Sequence, residues 1–241
     1  TEGTDLATRY LAFTWYAFNT ETRRFRNFMD YQRNWLEEIG SDDSHGRALW
    51  ALGTILGRSN TAALHNMAAK VFQQSLLAIL ETTSPRAWAF ALIGIYEYLE
   101  RFAGDRRVTQ VQEELAGRLL ALYQDNRAAG WNWFENRLTY CNAALSHAML
   151  LCGESLSNLA MTKVGIESLN WLADLQRSDA DGKHFVPIGS NGFYPQGGER
   201  ARFDQQPVEA QAMVSACLAA QRVTGEKRWQ QEARRAFEWF L

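Results

Sequence analysis

Gly46-Arg47-Ala48-Leu49-Trp50-Ala51-Leu52-Gly53, closed by Gly57 and followed by a second helical run from about Ser59 to Thr82, decides the fold. The first run is apolar nearly all round and rich in small residues, which suits a helix buried on several sides. The same grammar then returns. Pro85-Arg86-Ala87-Trp88-Ala89-Phe90 opens a run that reaches Gly104, and a helix from Asp105 to Asn126 follows. A third pair starts near Leu138, stops at Gly153 and continues from Ser157 to Arg177. A fourth runs from Pro207 to Gly225 and then from Glu226 to Leu241. The first member of each pair is plainest in Ala210-Gln211-Ala212-Met213-Val214-Ser215-Ala216-Cys217-Leu218-Ala219-Ala220. The amphipathic second member shows in Trp229, Ala233, Phe237 and Phe240, set on one stripe against Arg228, Glu232 and Arg235. Gly at the end of each first helix suits a left-handed C-cap, and Ser or Asp just beyond it suits an N-cap for the next.

An inner helix, a tight Gly turn and an outer helix, repeated in order, predict an all-α chain: an α/α toroid of inner and outer helix hairpins. The whole of residues 1–241 reads as one domain. A helix over about Asp5 to Asn19, carrying Tyr10, Phe13, Ala17 and Phe18, reads as an outer helix without its inner partner. Nine helices is an odd number for a structure built from pairs. It predicts an incomplete six-hairpin barrel, or a fragment of a longer chain whose missing inner helix lies beyond Leu241.

Composition narrows the function classes. Of 241 residues 46% are hydrophobic, yet there is no run approaching the ~20 apolar residues a membrane span needs, so no span is predicted. Twenty-five basic residues against 27 acidic give a net charge of −2, which argues against nucleic acid as a partner. Cys141, Cys152 and Cys217 form no C-x-x-C pair, and only 4 His are scattered through the chain. No metal site and no cofactor is predicted. Free cysteines, and a start at Thr1-Glu2-Gly3-Thr4-Asp5 that lacks a basic region followed by an apolar stretch, point to the cytoplasm.

The connections are unequal. Turns from inner to outer helix are short, whereas three connections from outer to inner helix are long or rich in Trp, Tyr, Arg, Asp and Glu. They are Arg23 to Arg47, Gly130 to Arg137 with its continuation to Tyr140, and His184 to Glu209. Each feeds the N-terminus of an inner helix, so all three are predicted to open on one rim, where backbone N–H groups favour anions and hydroxyls. In the first loop, Arg24-Phe25-Arg26-Asn27-Phe28-Met29-Asp30-Tyr31 alternates like a short strand or hairpin. His45 and Arg47, at the start of the next helix, are candidate ligand contacts, and Asp42 or Asp43 a candidate cap. In the second, Trp131 and Trp133 flank Asn132 and could form a stacking wall for sugar rings, with one of them equally suited to plugging the core. Glu135 is a candidate acid, and Tyr140 and Asn142 lie near the helix entrance. In the third, Gly189, Gly192, Gly197 and Gly198 permit tight turns around Tyr194, Glu199, Arg200 and Gln205. Asp204 and Glu209 bracket Pro207 in the first turn of a helix, so each is a general acid or base candidate or a partner of the helix dipole. Glycoside hydrolysis needs two facing carboxylates, and Glu135, Asp204 and Glu209 are the predicted catalytic set. Epimerisation would instead favour His as base, for which the rim offers His45 and His184.

Gly46-Arg47-Ala48-Leu49-Trp50-Ala51-Leu52-Gly53, Leu138-Thr139-Tyr140-Cys141-Asn142-Ala143 and the run from Gly197 to Ala210 resemble an all-helical bacterial domain. That domain occurs alone or fused behind a glycosyltransferase of the group 1 type. The resemblance implies a six-hairpin toroid similar to the glycosidase and sugar-epimerase superfamily, a glycan or sugar substrate, and a glycosyltransferase as partner. The family pattern often has Asp at the position of Cys141 and usually continues past Phe240-Leu241 into a further acidic segment. The leading expectation is therefore a carbohydrate-active toroid that hydrolyses or remodels a glycan. The alternative is a non-catalytic accessory domain of a glycosyltransferase system.

Overall fold

The computed structural model describes residues 2–178 and 183–241. Among the described residues there are nine α-helices and one two-stranded sheet. The chain groups into two compact units, Thr1–Leu115 and Ala116–Leu241.

Unit 1 contains α1 (Glu2–Ala17), α2 (Asp42–Arg58), α3 (Ala62–Ser75, continued by a 3-10 segment Leu76–Glu81), α4 (Pro85–Leu99) and the start of α5 (Arg106–Asn126). Local chemistry sets the helix starts. The Ser41 hydroxyl accepts from the Ser44 N–H, the Ser84 hydroxyl accepts from the Ala87 N–H ahead of α4, and Pro85 occupies the first turn where its missing N–H costs nothing. The Asp105 carboxylate accepts from the N–H groups of Arg107 and Val108 at the start of α5.

Helices α2 and α4 run parallel with their backbones in contact. Gly46 lies on Ala87, Gly53 on Gly94 and Gly57 on Glu97, so the pairs advance together along both helices. A Cβ on Gly53 would stand 2.1 Å from the Gly94 carbonyl oxygen, and one on Gly57 2.0 Å from that of Glu97. Gly57 was expected to cap its helix. It lies inside α2 instead, because the absence of a side chain is needed there for the close approach to α4.

Unit 2 holds the rest of α5, β1 (Arg137–Leu138), α6 (Ala143–Ser155), α7 (Leu159–Leu175), β2 (Tyr194–Pro195), α8 (Pro207–Thr224) and α9 (Arg228–Phe237), which ends in a 3-10 turn Glu238–Phe240. Helix α6 starts at Ala143 rather than near Leu138, because Arg137–Leu138 is drawn into the sheet and Cys141 turns the chain with φ +51°. Helices α6 and α7 form an antiparallel hairpin in which Gly153 packs on Thr162 and Gly165 on Leu150. Gly153, expected to be a cap, is thus a packing glycine as well. Gly225 does close α8 with φ +72°, its N–H donating to the Gln221 carbonyl. Helices α6 and α8 are parallel, since Asn142 meets Glu209 at their starts and Glu154 pairs with Arg222 (2.6 Å) at their ends.

Candidate functional site

Two of the three polar-aromatic loops meet in unit 2. Strands β1 and β2 pair antiparallel, Arg137 opposite Pro195 and Leu138 opposite Tyr194, and the Gln196 N–H donates to the Asn136 carbonyl at 2.9 Å. The second loop is compact from its first residues. Ala128 and Trp131 exchange backbone hydrogen bonds around Gly130, whose φ of +76° is the left-handed conformation glycine adopts without steric cost.

The aromatic cluster differs from the sequence expectation. Trp131 is 3% exposed and Trp133 fully buried, so neither can form an open stacking wall. Trp133 packs edge-on to Phe134, which in turn lies 5.3 Å away and leans on Tyr123 of α5. Trp131 donates its indole N–H to the Glu135 carbonyl at 2.8 Å and is wedged between Trp171 (4.9 Å between ring centroids) and Tyr194 (5.4 Å). The partly exposed rings are therefore Tyr194 and Trp171, backed by the two buried indoles. Trp171 was not singled out by sequence reasoning, which treated α7 as scaffold. Its position in the last turn before a polar loop was the available signal. Its indole N–H donates to the Gly130 carbonyl at 3.1 Å, fixing the ring against the second loop.

Glu209 was expected as a catalytic acid and Asn142 as a substrate contact. The structure joins them in a closed clamp. Glu209 is 2% exposed and Asn142 fully buried. The Glu209 carboxylate accepts from the Asn142 backbone N–H (2.7 Å), the Asn142 side-chain amide (2.9 Å) and the Gln176 amide (2.7 Å). Asn142 also accepts from the Thr139 N–H and donates to the Thr139 carbonyl. Buried polar groups require partners, and these side chains supply one another while fixing the starts of α6 and α8 to the end of α7. Behind them, the Arg235 guanidinium donates to the carbonyls of Ala173 (3.0 Å) and Gln176 (3.1 Å), a cation on the C-terminal carbonyls of α7. A carboxylate so enclosed has no open side towards a substrate.

The other unit 2 candidates retain accessible surface. Glu135, Tyr140, Tyr194 and Arg200 are partly exposed, and Glu199 and Asp204 are exposed. Arg200 also donates to the Leu175 carbonyl, which ties the third loop to the end of α7. Asp204 has φ +57°, and its carbonyl accepts from both the N–H (3.1 Å) and the hydroxyl (2.9 Å) of Ser190. Gln205 is engaged at both ends of its amide: Nε2 donates to the Arg202 carbonyl, and Oε1 accepts from the Trp239 indole at 3.0 Å.

The first loop belongs to unit 1. It carries the bridges Phe18 to Phe25 and Met29 to Trp35, in keeping with its alternating pattern. Ion pairs Arg24–Asp42 and Arg26–Glu38, both 2.7 Å, hold it. Burial would raise the Asp42 carboxyl, but hydrogen bonds from Arg24 and from the Thr83 N–H outweigh it and hold the group below its ordinary value. His45, expected as a ligand contact, is fully buried, with Nε2 against the Ser75 carbonyl at 3.2 Å and its ring on Phe25. Burial, and then the Arg24 charge, push its pKa down to about 3, so the ring is a neutral core group. Arg47 pairs with Asp43 at 2.7 Å and lies over the Phe90 ring at 4.1 Å.

Among the described residues no group of three or more His, Cys, Asp or Glu could hold a metal ion, and no helix is long and apolar enough to cross a membrane. All three cysteines are free and buried. No family model matches the chain, and no curated protein matches it by sequence. The likeness found is one of fold. The crystal structure of an unsaturated glucuronyl hydrolase specific for heparin aligns with 98% of this chain and 67% of its own, at a TM-score of 0.61 and 13% identity. The likeness assigns the fold class: this is an all-α chain of the α/α-toroid kind to which that glycosidase belongs.

Proposed function

We propose that the protein is a carbohydrate-active module whose glycan platform is the pair of loops joined by β1 and β2. Tyr194 and Trp171 offer partly exposed rings for the apolar faces of sugars, and Tyr140, Glu199 and Arg200 bind hydroxyls or an acidic group. Glu135 and Asp204 are the acid and base candidates that keep access to solvent. The observation that carries the reading is the β1–β2 pairing, which holds Tyr194 against Trp131 and so presents two loops of sugar-binding composition as one surface. The glycosidase-like fold supports a carbohydrate context.

A second reading, a non-catalytic accessory domain of a glycosyltransferase system, is favoured by the enclosure of Glu209, which removes one of three candidate acids. A glycan-array and hydrolysis screen separates the two, using the unmodified chain, Tyr194→Ala and a Glu135→Gln, Asp204→Asn double variant. Catalysis requires turnover in the unmodified chain that the double variant loses while keeping its binding. Binding without turnover in any glycan supports the accessory reading. Binding that survives Tyr194→Ala undiminished removes the platform from both.

A further inference from the structure

In unit 1 a polar cavity of about 460 Å³ is lined by Thr20, Arg23, Gln73, Gln74 and Arg107. Three segments contribute: the turn after α1, the exposed face of α3 and the first turn of α5. Neither the Arg23 nor the Arg107 guanidinium makes an ion pair or side-chain hydrogen bond among the described residues, and Glu21 on the same turn pairs with neither. The contrast with the neighbouring arginines is sharp, since Arg24 is neutralised by Asp42 and Arg26 by Glu38.

The turn that carries Arg23 is rigidly built. The Asn19 carboxamide oxygen accepts from the Glu21 N–H at 3.0 Å, the Arg23 N–H donates to the Asn19 carbonyl at 2.8 Å, and the Asn19 N–H donates to the Arg24 carbonyl at 2.9 Å. Arg23 itself has φ +59°, a left-handed conformation that a residue with a Cβ rarely adopts. That turn separates two adjacent arginines: Arg24 goes into the protein to meet Asp42, and Arg23 lines the cavity. All five lining side chains are exposed, so water solvates them when the space is empty, and an anion entering it would meet two guanidiniums and two carboxamides at once. Donors arriving from three segments suit a tetrahedral group better than a planar carboxylate, which a single guanidinium fork satisfies. The volume exceeds that of a bare ion and falls in the range of small-molecule sites.

We propose that this cavity binds a tetrahedral oxyanion, the phosphate or sulfate ester of a small molecule, gripped between the Arg23 and Arg107 guanidiniums with Gln73, Gln74 and Thr20 as further donors. All five lining residues belong to unit 1, and the proposal does not depend on the reading of the unit 2 platform. Calorimetric titration of the full chain at low ionic strength, with inorganic phosphate, inorganic sulfate, glucose 6-phosphate and glucose 6-sulfate, tests it. Saturable binding of at least one ester is expected, weakened about 10- to 100-fold in an Arg23→Gln, Arg107→Gln double variant and weakened by added salt. The tighter ester identifies the source of the oxyanion. Gln73→Glu, an exposed change that leaves both arginines in place, should weaken the same binding. No saturation with any of the four probes overturns the proposal, as does binding of inorganic ions with neither ester. Undiminished ester binding in the double variant or in Gln73→Glu overturns it equally.

Discussion

The two parallel helix pairs, α2 with α4 and α6 with α8, solve one packing problem by different chemistry. In unit 1 the solution is removal: Gly46, Gly53, Gly57 and Gly94 delete side chains so that backbone meets backbone. In unit 2 it is addition: the starts of α6 and α8 are held by the buried clamp of Asn142, Glu209 and Gln176. A repeat therefore fixes which helices pair without fixing what joins them. The joins also fail differently, since a glycine contact is intolerant of volume and a polar clamp of an unpaired donor.

The largest effect should come from filling the glycine contact. Gly53→Leu drives atoms into the Gly94 carbonyl, where only backbone could move. A loss of about 3 kcal/mol or more is expected in denaturant melts. If stability is retained, backbone contact is not what sets the α2–α4 spacing. Next, Glu209→Ala strands the Asn142 and Gln176 donors in a buried site, and should cost about 3 kcal/mol. Glu209→Gln, which keeps the shape, should cost less. Because Cys141, Cys152 and Cys217 all lie in unit 2, their reaction with a thiol reagent should quicken in Glu209→Ala. The unmodified chain should react slowly, as burial pushes the Cys217 thiol up to about 12.

The third effect tests the platform that the clamp supports. Trp171→Ala should weaken binding of whichever glycan the array identifies by about tenfold, with a smaller loss of stability because the ring is only half-buried. The smallest effect per pH unit, though it accumulates across the acid range, is a pH dependence in unit 1. His45 is held neutral, with its folded pKa near 3 against an ordinary value near 6.5. Between those values the unfolded chain binds the extra proton, so this contribution is complete above pH 6.5 and declines as pH falls towards 3. One histidine gives a slope approaching ~1.4 kcal/mol per pH unit. His45→Leu should flatten the melt-derived slope between pH 6 and 4 by that amount. An unchanged slope would place the acid sensitivity on carboxylates such as Asp42 instead.

Much of the fold was legible in the chain. Periodicity located the helices of all four pairs, and Gly225 capped α8 as its position implied. Gly57 and Gly153 misled because a glycine near a helix end looks the same whether it turns the chain or admits a neighbour. The site was less legible. Local composition puts all three loops on one rim, of which the second and third meet through β1 and β2, and it allows one of Trp131 and Trp133 a core role where the structure buries both. Burial depends on Trp171, Tyr194 and Phe134 around them, which no local pattern encodes. Trp171 was missed for the converse reason, its helix being read as scaffold.

By itself the sequence determined the all-α class, the alternation of small-residue and amphipathic helices, and the concentration of aromatic and charged side chains in the connections. These follow from short-range periodicity and composition, which each segment carries alone. Only the tertiary structure decided that Glu209 closes on Asn142, 67 residues away, and that His45 is a neutral core group. It likewise separated Arg24, paired inside, from Arg23 beside it. A side chain's role is set by what surrounds it, and those surroundings are assembled from segments that are neighbours only once the chain has folded.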